Sequence, residues 1–225
     1  KTVKLSGADL VCVILDMDNF KQINDAHGHA TGDELLVFLA GLIRGTTADP
    51  EGNITLEDEA LCMENLEGAM AVSNSGGFVI AQVERLSDKP ALPHAVRIPG
   101  VFVHYVVVAS SRHAHPHTLF TEYYPSFAGT ERTDLEREFR PMPLNAEKVM
   151  CRRAAMELGG AKLINLGIGI PMSVAAVAHE EGILNRLVLN TEIGVLGGLP
   201  QGGKNFGPAK NPSAFMSQTA MFDFY

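Results

Sequence analysis

Apolar positions along the chain fall into short blocks, some continuous and some at helical spacing. Residues Leu10 to Leu15 are apolar without a break and end in Asp16-Met17-Asp18, the pattern of a buried strand that delivers acids at its C-terminal end. From Asp33, the positions Leu35, Leu36, Phe38, Leu39, Leu42 and Ile43 recur at helical spacing and predict an amphipathic helix. Arg44 to Asn53 gathers glycine, proline and turn formers, which predicts a loop and a turn before Ile54-Thr55-Leu56. A helix is expected over Asp58 to Asn74, on Ala60, Leu61, Leu66, Ala69, Met70 and Val72, with Ser75-Gly76-Gly77 as its stop. Phe78 to Val83 then reads as a buried strand, and Val101–Val103 and Val106–Ala109 as two more. A helix passing directly into an apolar strand is half of a βαβ unit, so an α/β architecture is expected.

Between Ser110 and Pro143 this regularity stops. Histidines, prolines, the adjacent Tyr123 and Tyr124 and a charged run from Glu131 to Arg140 replace it, which predicts a connector or surface excursion with a solvated charged face. A second regular block follows. Asn145 to Leu158 predicts a helix stopped by Gly159-Gly160, and Leu163–Leu166 a strand that enters Gly167-Ile168-Gly169-Ile170-Pro171. A helix through Val174, Ala175, Val177 and Ala178 comes next, then a strand at Leu187–Leu189 ending in Asn190-Thr191-Glu192-Ile193-Gly194. The pairs Gly197-Gly198 and Gly202-Gly203 close the series, and the chain shows neither an internal repeat nor a low-complexity tract.

Composition narrows the function classes. With 225 residues and 46% hydrophobic content the chain has material for a core, so global disorder is excluded. A net charge of −8 argues against a nucleic-acid surface and weakly against an anionic membrane surface. No apolar stretch has the length of a membrane span, and the charged start at Lys1 has no signal-peptide apolar region behind it, so a soluble cytoplasmic chain is expected. Cys12, Cys62 and Cys151 lie far apart without metal-ligand spacing and read as small buried hydrophobes in a reducing compartment. His113, His115 and His117 alternate, but Pro116 interrupts a regular strand, so solvated loop histidines are expected and no metal site.

Two places can carry chemistry on local pattern. Glu192 is a lone carboxylate at the end of a buried strand, followed at once by Gly194 and then by two glycine pairs, where α/β sheets place ligands. The same pattern suits a helix cap or a solvated acid. Gly167 to Pro171 joins a strand to a helix, and its free N–H groups could face an anion. It is not a dinucleotide fingerprint, because Met172 stands where the third glycine belongs, and a purely structural turn serves equally.

Several motifs in one order carry a resemblance. Arg44-Gly45-Thr46-Thr47-Ala48-Asp49-Pro50-Glu51-Gly52-Asn53, Ala69 to Arg85, Arg152 to Leu158, Asn165 to Pro171 and Thr191 to Gly203 resemble family I CoA-transferases of the acetate/propionate type, collinearly from about Ile43 to Tyr225. The resemblance implies an incomplete CoA-transferase-type (NagB/RpiA-like) three-layer α/β/α body. It also implies that Glu192, in the family's Glu-x-Gly motif, is the nucleophile of an acyl-CoA:carboxylate transfer through a glutamyl-CoA thioester, with ping-pong kinetics. Gly194, Gly197 and Gly198 would allow close thioester approach, Gly202 and Gly203 would contact the pantetheine arm, and Gly167 and Gly169 would help shape the cleft. Coenzyme A, as acyl-CoA, and short-chain carboxylates are the implied ligands, no metal is implied, and a homo-oligomer is expected.

A different family is visible before that segment. Asp16 to Asp33 resembles the GGDEF, or diguanylate cyclase, family, in which the positions of Asp16, Asn24 and Asp33 bind Mg²⁺ and read guanine. The family's signature hairpin would fall where Glu57-Asp58-Glu59-Ala60-Leu61 stands, and Gly76-Gly77-Phe78 comes later without acids, so the nucleotide site is expected to be vestigial and without cyclase activity. The chain therefore reads as a chimera joined inside the predicted helix, around Leu39 to Arg44. Its expected parts are a GGDEF-like fragment at 1–42, the end of a transferase first half at 43–112, a linker at 113–144 and the start of a second half at 145–225. Because the family's polypeptide continues beyond Tyr225, an apolar face is expected where the missing strands would pack.

Overall fold

A computed structural model describes residues 40–160 and 163–223. The expected strand at Leu10–Leu15 and the GGDEF-like positions Asp16, Asn24 and Asp33 lie outside the described residues. The described chain is mixed α/β and divides into two compact units, one of residues 40–56 and 65–111 and one of residues 57–64 and 112–223.

The first unit is built on β1 (Ala40–Ala48), β2 (Ile54–Thr55), helix α1 (Asn65–Asn74), β3 (Phe78–Leu86) and β4 (Tyr105–Val108). Its four strands lie in the order β2-β1-β3-β4, with β1, β3 and β4 parallel and β2 antiparallel to β1. The helix expected to run through Leu42 and Ile43 is not found there: residues 40–48 are a strand paired to β3 from Ala40↔Phe78 to Ala48↔Leu86. Local composition explains the difference, since Gly41 and Gly45 are poor helix formers and Thr46 and Thr47 favour strands. Packing adds a second reason, because a Cβ on Gly45 would lie 2.1 Å from Ile54 Cγ2. The turn begins only at Asp49, which closes it by accepting the N–H groups of Glu51 and Asn53, both at 2.9 Å. The predicted helix over 58–74 is confined to α1, and Val101–Val103 is not a strand: Gly100–Phe102 is a single 3₁₀ turn. Alternation along β3 sends Val79, Ala81 and Val83 into a core shared with Ile43, Ile54, Ala69, Ile98 and Val106.

The second unit contains α2 (Pro125–Ala128), α3 (Ala146–Glu157), β5 (Leu163–Asn165), α4 (Ser173–Glu180), β6 (Val188–Thr191), β7 (Val195–Leu196), β8 (Leu199–Pro200), β9 (Ala209–Lys210), β10 (Ala214–Phe215) and α5 (Gln218–Phe222). Its main sheet runs β10-β7-β6-β5, with β5 and β6 parallel, while β8 and β9 form a separate two-stranded ladder. Asn145 caps α3, its Oδ1 accepting the Lys148 N–H at 2.9 Å. Helix α4 buries Val174, Ala175, Val177 and Ala178, packing on Cys151 and Ala155 of α3 from one side and on Ile164 and Leu189 of the sheet from the other. Complete burial of a side chain such as Val177 stabilises by about 1.5–3 kcal/mol. Val149, Met150 and Met156 of α3 remain exposed.

The histidines of the 113–117 stretch are not a solvated set. His115 is buried with its Nε2 2.8 Å from Glu59 Oε1, and His117 Nε2 donates to the Asp58 carbonyl at 2.6 Å. Only His113 is exposed, paired to Glu122 at 3.0 Å. Three histidines thus serve three different partners, and no group of three potential metal ligands occurs among the described residues. The charged run is tied at several points, with Glu136 2.7 Å from His179 and Lys210 2.8 Å from Glu138. No helix among the described residues is long and apolar enough to cross a membrane.

Candidate active site

The parallel pair β5 and β6 fixes where chemistry can sit. Asn165 pairs with Asn190 in register, so both strands end at the same edge of the sheet and release their loops side by side. Ligands of open α/β sheets bind at such carboxyl ends. One loop is Leu166 to Met172, and the other is the turn Thr191-Glu192-Ile193-Gly194. Between them lies a cleft of about 370 Å³ in which Glu192, Gly167, Asn165, Met172, Gln201 and Phe206 all take part.

Glu192 leaves the sheet at a tight turn. The Gly194 N–H donates to the Thr191 carbonyl at 3.1 Å and the Val195 N–H to Thr191 Oγ1 at 3.3 Å. Gly194 has φ +98, and a Cβ there would lie 2.0 Å from the Met216 carbonyl oxygen. Thr191 and Val195 are buried while Glu192 is exposed, so the turn is anchored at both ends and presents its carboxylate outward. Among the described residues that carboxylate takes no hydrogen bond or ion pair. It is therefore neither a helix cap nor a structural ion-pair partner within the described chain.

The glycines singled out in the sequence separate into distinct roles. Gly167 lines the cleft. Gly197 and Gly198, like Gly194, have positive φ, and a Cβ on them would meet Ser213 Oγ at 2.3 Å and the Lys210 carbonyl oxygen at 2.2 Å respectively. All three are thus required by approach of the protein to itself, which holds the chain after Glu192 against β10 and β9. Gly202 faces Met172 at 3.7 Å, in ordinary contact. Gly169 and Gly203 have φ of +88 and +59 with nothing within 4 Å of a Cβ, so they face open space. Gln201, Asn165, Met172 and Phe206 were not singled out by pattern. Gln201 lies between glycine pairs and ahead of Gly202, and only the β8–β9 ladder turns it back toward Glu192.

Known proteins resemble this chain in two ways. The family described as diguanylate cyclase, GGDEF domain, matches residues 2–120. The caffeate CoA-transferase of Acetobacterium woodii is 44% identical over 200 residues, covering 86% of this chain and 38% of that protein. The acetate CoA-transferase YdiF of Escherichia coli K12 is 36% identical over 189 residues, 81% of this chain and 34% of that protein. A solved structure of the acyl-CoA transferase YdiF from E. coli O157:H7, described as a thioester complex with CoA, superposes with a TM-score of 0.68 at 34% identity, over 83% of this chain and 35% of that one. The chain belongs to the GGDEF family. Most of its length is also similar to CoA-transferases. The GGDEF match runs past residue 42 and across β1 to β4, which the CoA-transferase likeness also covers in large part. The CoA-transferase portion is partial, since the chain spans well under half the length of these relatives.

Proposed function

We propose that this chain carries the nucleophile-bearing part of an acyl-CoA:carboxylate CoA-transferase and that Glu192 is the nucleophile. The observation that carries the reading is an exposed carboxylate without a partner among the described residues, held by a rigid turn at the carboxyl edge of a parallel strand pair and facing a cleft of about 370 Å³. Similarity to CoA-transferases over most of the chain supports it. In this chemistry the Glu192 carboxylate adds to the thioester carbonyl of an acyl-CoA. Collapse of the tetrahedral adduct expels the CoA thiolate and leaves a mixed anhydride. The thiolate then attacks the glutamyl carbonyl, releasing the first carboxylate and leaving a glutamyl-CoA thioester. An acceptor carboxylate runs the same steps in reverse and departs as the new acyl-CoA, so the thioester bond is conserved and the kinetics are ping-pong. Each tetrahedral adduct needs hydrogen-bond donors at its oxyanion. The amides of Asn165 and Gln201 on the lining are the donors we assign to that role.

The reading extends to short-chain carboxylates as donors and acceptors, a homo-oligomeric whole protein and a cytoplasmic setting. Residues 1–42 are assigned to the GGDEF-like piece and residues 43–225 to the transferase. The test is covalent capture: the chain is incubated with acetyl-CoA, treated with hydroxylamine or borohydride, and the peptide containing Glu192 is weighed. A mass change confined to Glu192 and absent in Glu192→Gln is expected. An unaltered Glu192 peptide in the full-length protein would refute the assignment.

The match over residues 2–120 favours a second, narrower reading, a relic nucleotide site at Asp16, Asn24 and Asp33 without cyclase activity. Titration with GTP and Mg²⁺ decides it. Binding that survives both Asp16→Ala and Asn24→Ala would remove the proposed site.

A further inference from the structure

Phe206 is a large ring left 39% exposed in the cleft that Glu192 also lines, on the loop that joins β8 to β9. Loops with exposed apolar tips are ordinarily mobile and variable, but this one is held on every side. Its base is closed by the Gln201 N–H donating to the Pro208 carbonyl at 2.9 Å. Immediately before Phe206, Asn205 Oδ1 accepts two hydroxyl hydrogen bonds, from Thr118 Oγ1 at 2.8 Å and Thr121 Oγ1 at 2.9 Å. The donor turn is itself stiff, because Thr118 Oγ1 accepts the N–H groups of Phe120 at 3.2 Å and Thr121 at 3.0 Å. The Lys204 ammonium stands 4.9 Å from the centre of the Phe120 ring and ties the same two turns a third time. Immediately after Phe206, Gly207 is buried at φ +127, and a Cβ on it would lie 3.2 Å from Ile193, the neighbour of Glu192.

This investment of polar contacts fixes a large ring that is still partly open to the cleft. Met172, whose thioether adapts to an apolar ligand, lines the same cleft. We propose that Asn205, gripped by the Thr118 and Thr121 hydroxyls, is a positioning residue that holds Phe206 as the apolar wall of the Glu192 cleft, against which the acyl chain of a thioester lies. The substrate class is then the thioester whose acyl chain is long enough to reach the ring, butanoyl and hexanoyl in preference to acetyl. The inference rests on the reading of Glu192 as the group that meets the thioester carbonyl. It also gives the segment around residues 118–121, expected from sequence to be a connector, a place in the site.

The test uses the full chain and neutral S-acyl N-acetylcysteamine thioesters, which carry the acyl end of the substrate without the nucleotide. Acetyl, butanoyl and hexanoyl probes are titrated while the carbon-13 methyl signal of Met172 is followed by NMR, assigned by its loss in Met172→Leu. Affinity is expected to rise by up to about fourfold for each methylene buried against the wall. Phe206→Ala and Asn205→Ala are expected to flatten this series to within about twofold, and Asn205→Asp, which keeps an acceptor for both hydroxyls, to restore it. Thr121→Val, which keeps the side-chain shape and removes one donor, is expected to weaken the gradient and serves where Asn205→Ala does not fold. A flat series in the wild-type chain, no binding of any probe, or a gradient that persists in Asn205→Ala or in Thr121→Val would overturn the proposal. A purely structural role would lower the unfolding temperature and leave the gradient intact. A graded wild-type series with no trappable adduct at Glu192 would instead overturn the transferase reading alone.

Discussion

Gly194→Ala isolates the requirement that places Glu192. The glycine has φ +98, where an L side chain is strained by roughly 1–2 kcal/mol. Its Cβ would lie 2.0 Å from the Met216 carbonyl oxygen, where ordinary contact begins at 3.4 Å, so the two backbones must separate by more than an ångström. That movement breaks the hydrogen bond from the Met216 N–H to the Gly194 carbonyl, 2.9 Å long, with a loss of about 1 kcal/mol. Together these give a destabilisation on the order of 2–3 kcal/mol, a large share of the ~5–15 kcal/mol that holds a typical domain. The internal controls are Gly169→Ala and Gly203→Ala, which share a positive φ but have nothing within 4 Å of the new Cβ. They carry the strain alone, about 1–2 kcal/mol. Urea unfolding followed by far-ultraviolet circular dichroism, with linear extrapolation to water, measures all three. If Gly194→Ala costs no more than Gly169→Ala, the close approach to Met216 is not what demands the glycine and the argument fails.

Asp49 holds the turn after β1. Burial pushes its carboxyl up, but hydrogen bonds from the Ala91 N–H, the Asn53 amide and N–H, and the Glu51 N–H outweigh burial and leave it below its ordinary value of 3.8. A carboxyl lowered on folding stabilises above the unfolded value and loses that contribution as pH falls through the folded one. Asp49→Ala is expected to destabilise by about 2–4 kcal/mol at neutral pH, with the gap to wild type narrowing below about pH 4; a gap constant down to pH 2 would count against the network. Glu59→Ala, which strips the buried His115 of its carboxylate, is expected to lower stability by about 1.5–3 kcal/mol, and an unchanged unfolding midpoint would contradict the buried tie. Burial, and secondarily the charge of Glu147, push the Cys151 thiol up, so maleimide is expected to modify the half-buried Cys62 well before Cys151, with equal rates in the native protein as the contrary result. Glu192→Gln is expected to abolish covalent capture while moving stability by less than about 0.5 kcal/mol, since the side chain is exposed; a large loss of stability would assign Glu192 a structural duty instead.

Much of this molecule is determined by its sequence alone. Helix α3 with its Asn145 cap, the strand-loop-helix around Gly167 and the strand that ends at Glu192 follow from periodicity, capping chemistry and glycine placement, all of which act within a few residues. The same local pattern places Glu192 after a strand, but its reading as a nucleophile comes from the resemblance of the Glu192-Ile193-Gly194 motif to the CoA-transferases. Other features were decided by contacts between distant segments. The helical spacing from Leu35 runs on to Ile43 and a loop is expected from Arg44, yet Ala40–Ala48 is a strand because its pairing with β3 and the seating of Ile54 over Gly45 outweigh local pattern. His115 and His117 looked solvated in a proline-rich stretch, and Glu59 and Asp58, more than fifty residues earlier, draw one of them into the interior and the other against a backbone carbonyl. Gly194, Gly197 and Gly198 could be recognised as necessary but not why, since the backbone and side-chain atoms that forbid a Cβ come from residues 210–216. Phe206 has no local signal and Gln201 none beyond its place in the Thr191 to Gly203 motif, because their place in the cleft with Glu192 depends on the β8–β9 ladder and on contacts from residues 118–121 to Asn205. Local pattern determines which segments have regular structure; non-local pairing determines which side chains meet, because its contacts depend on surfaces that exist only once the chain has folded.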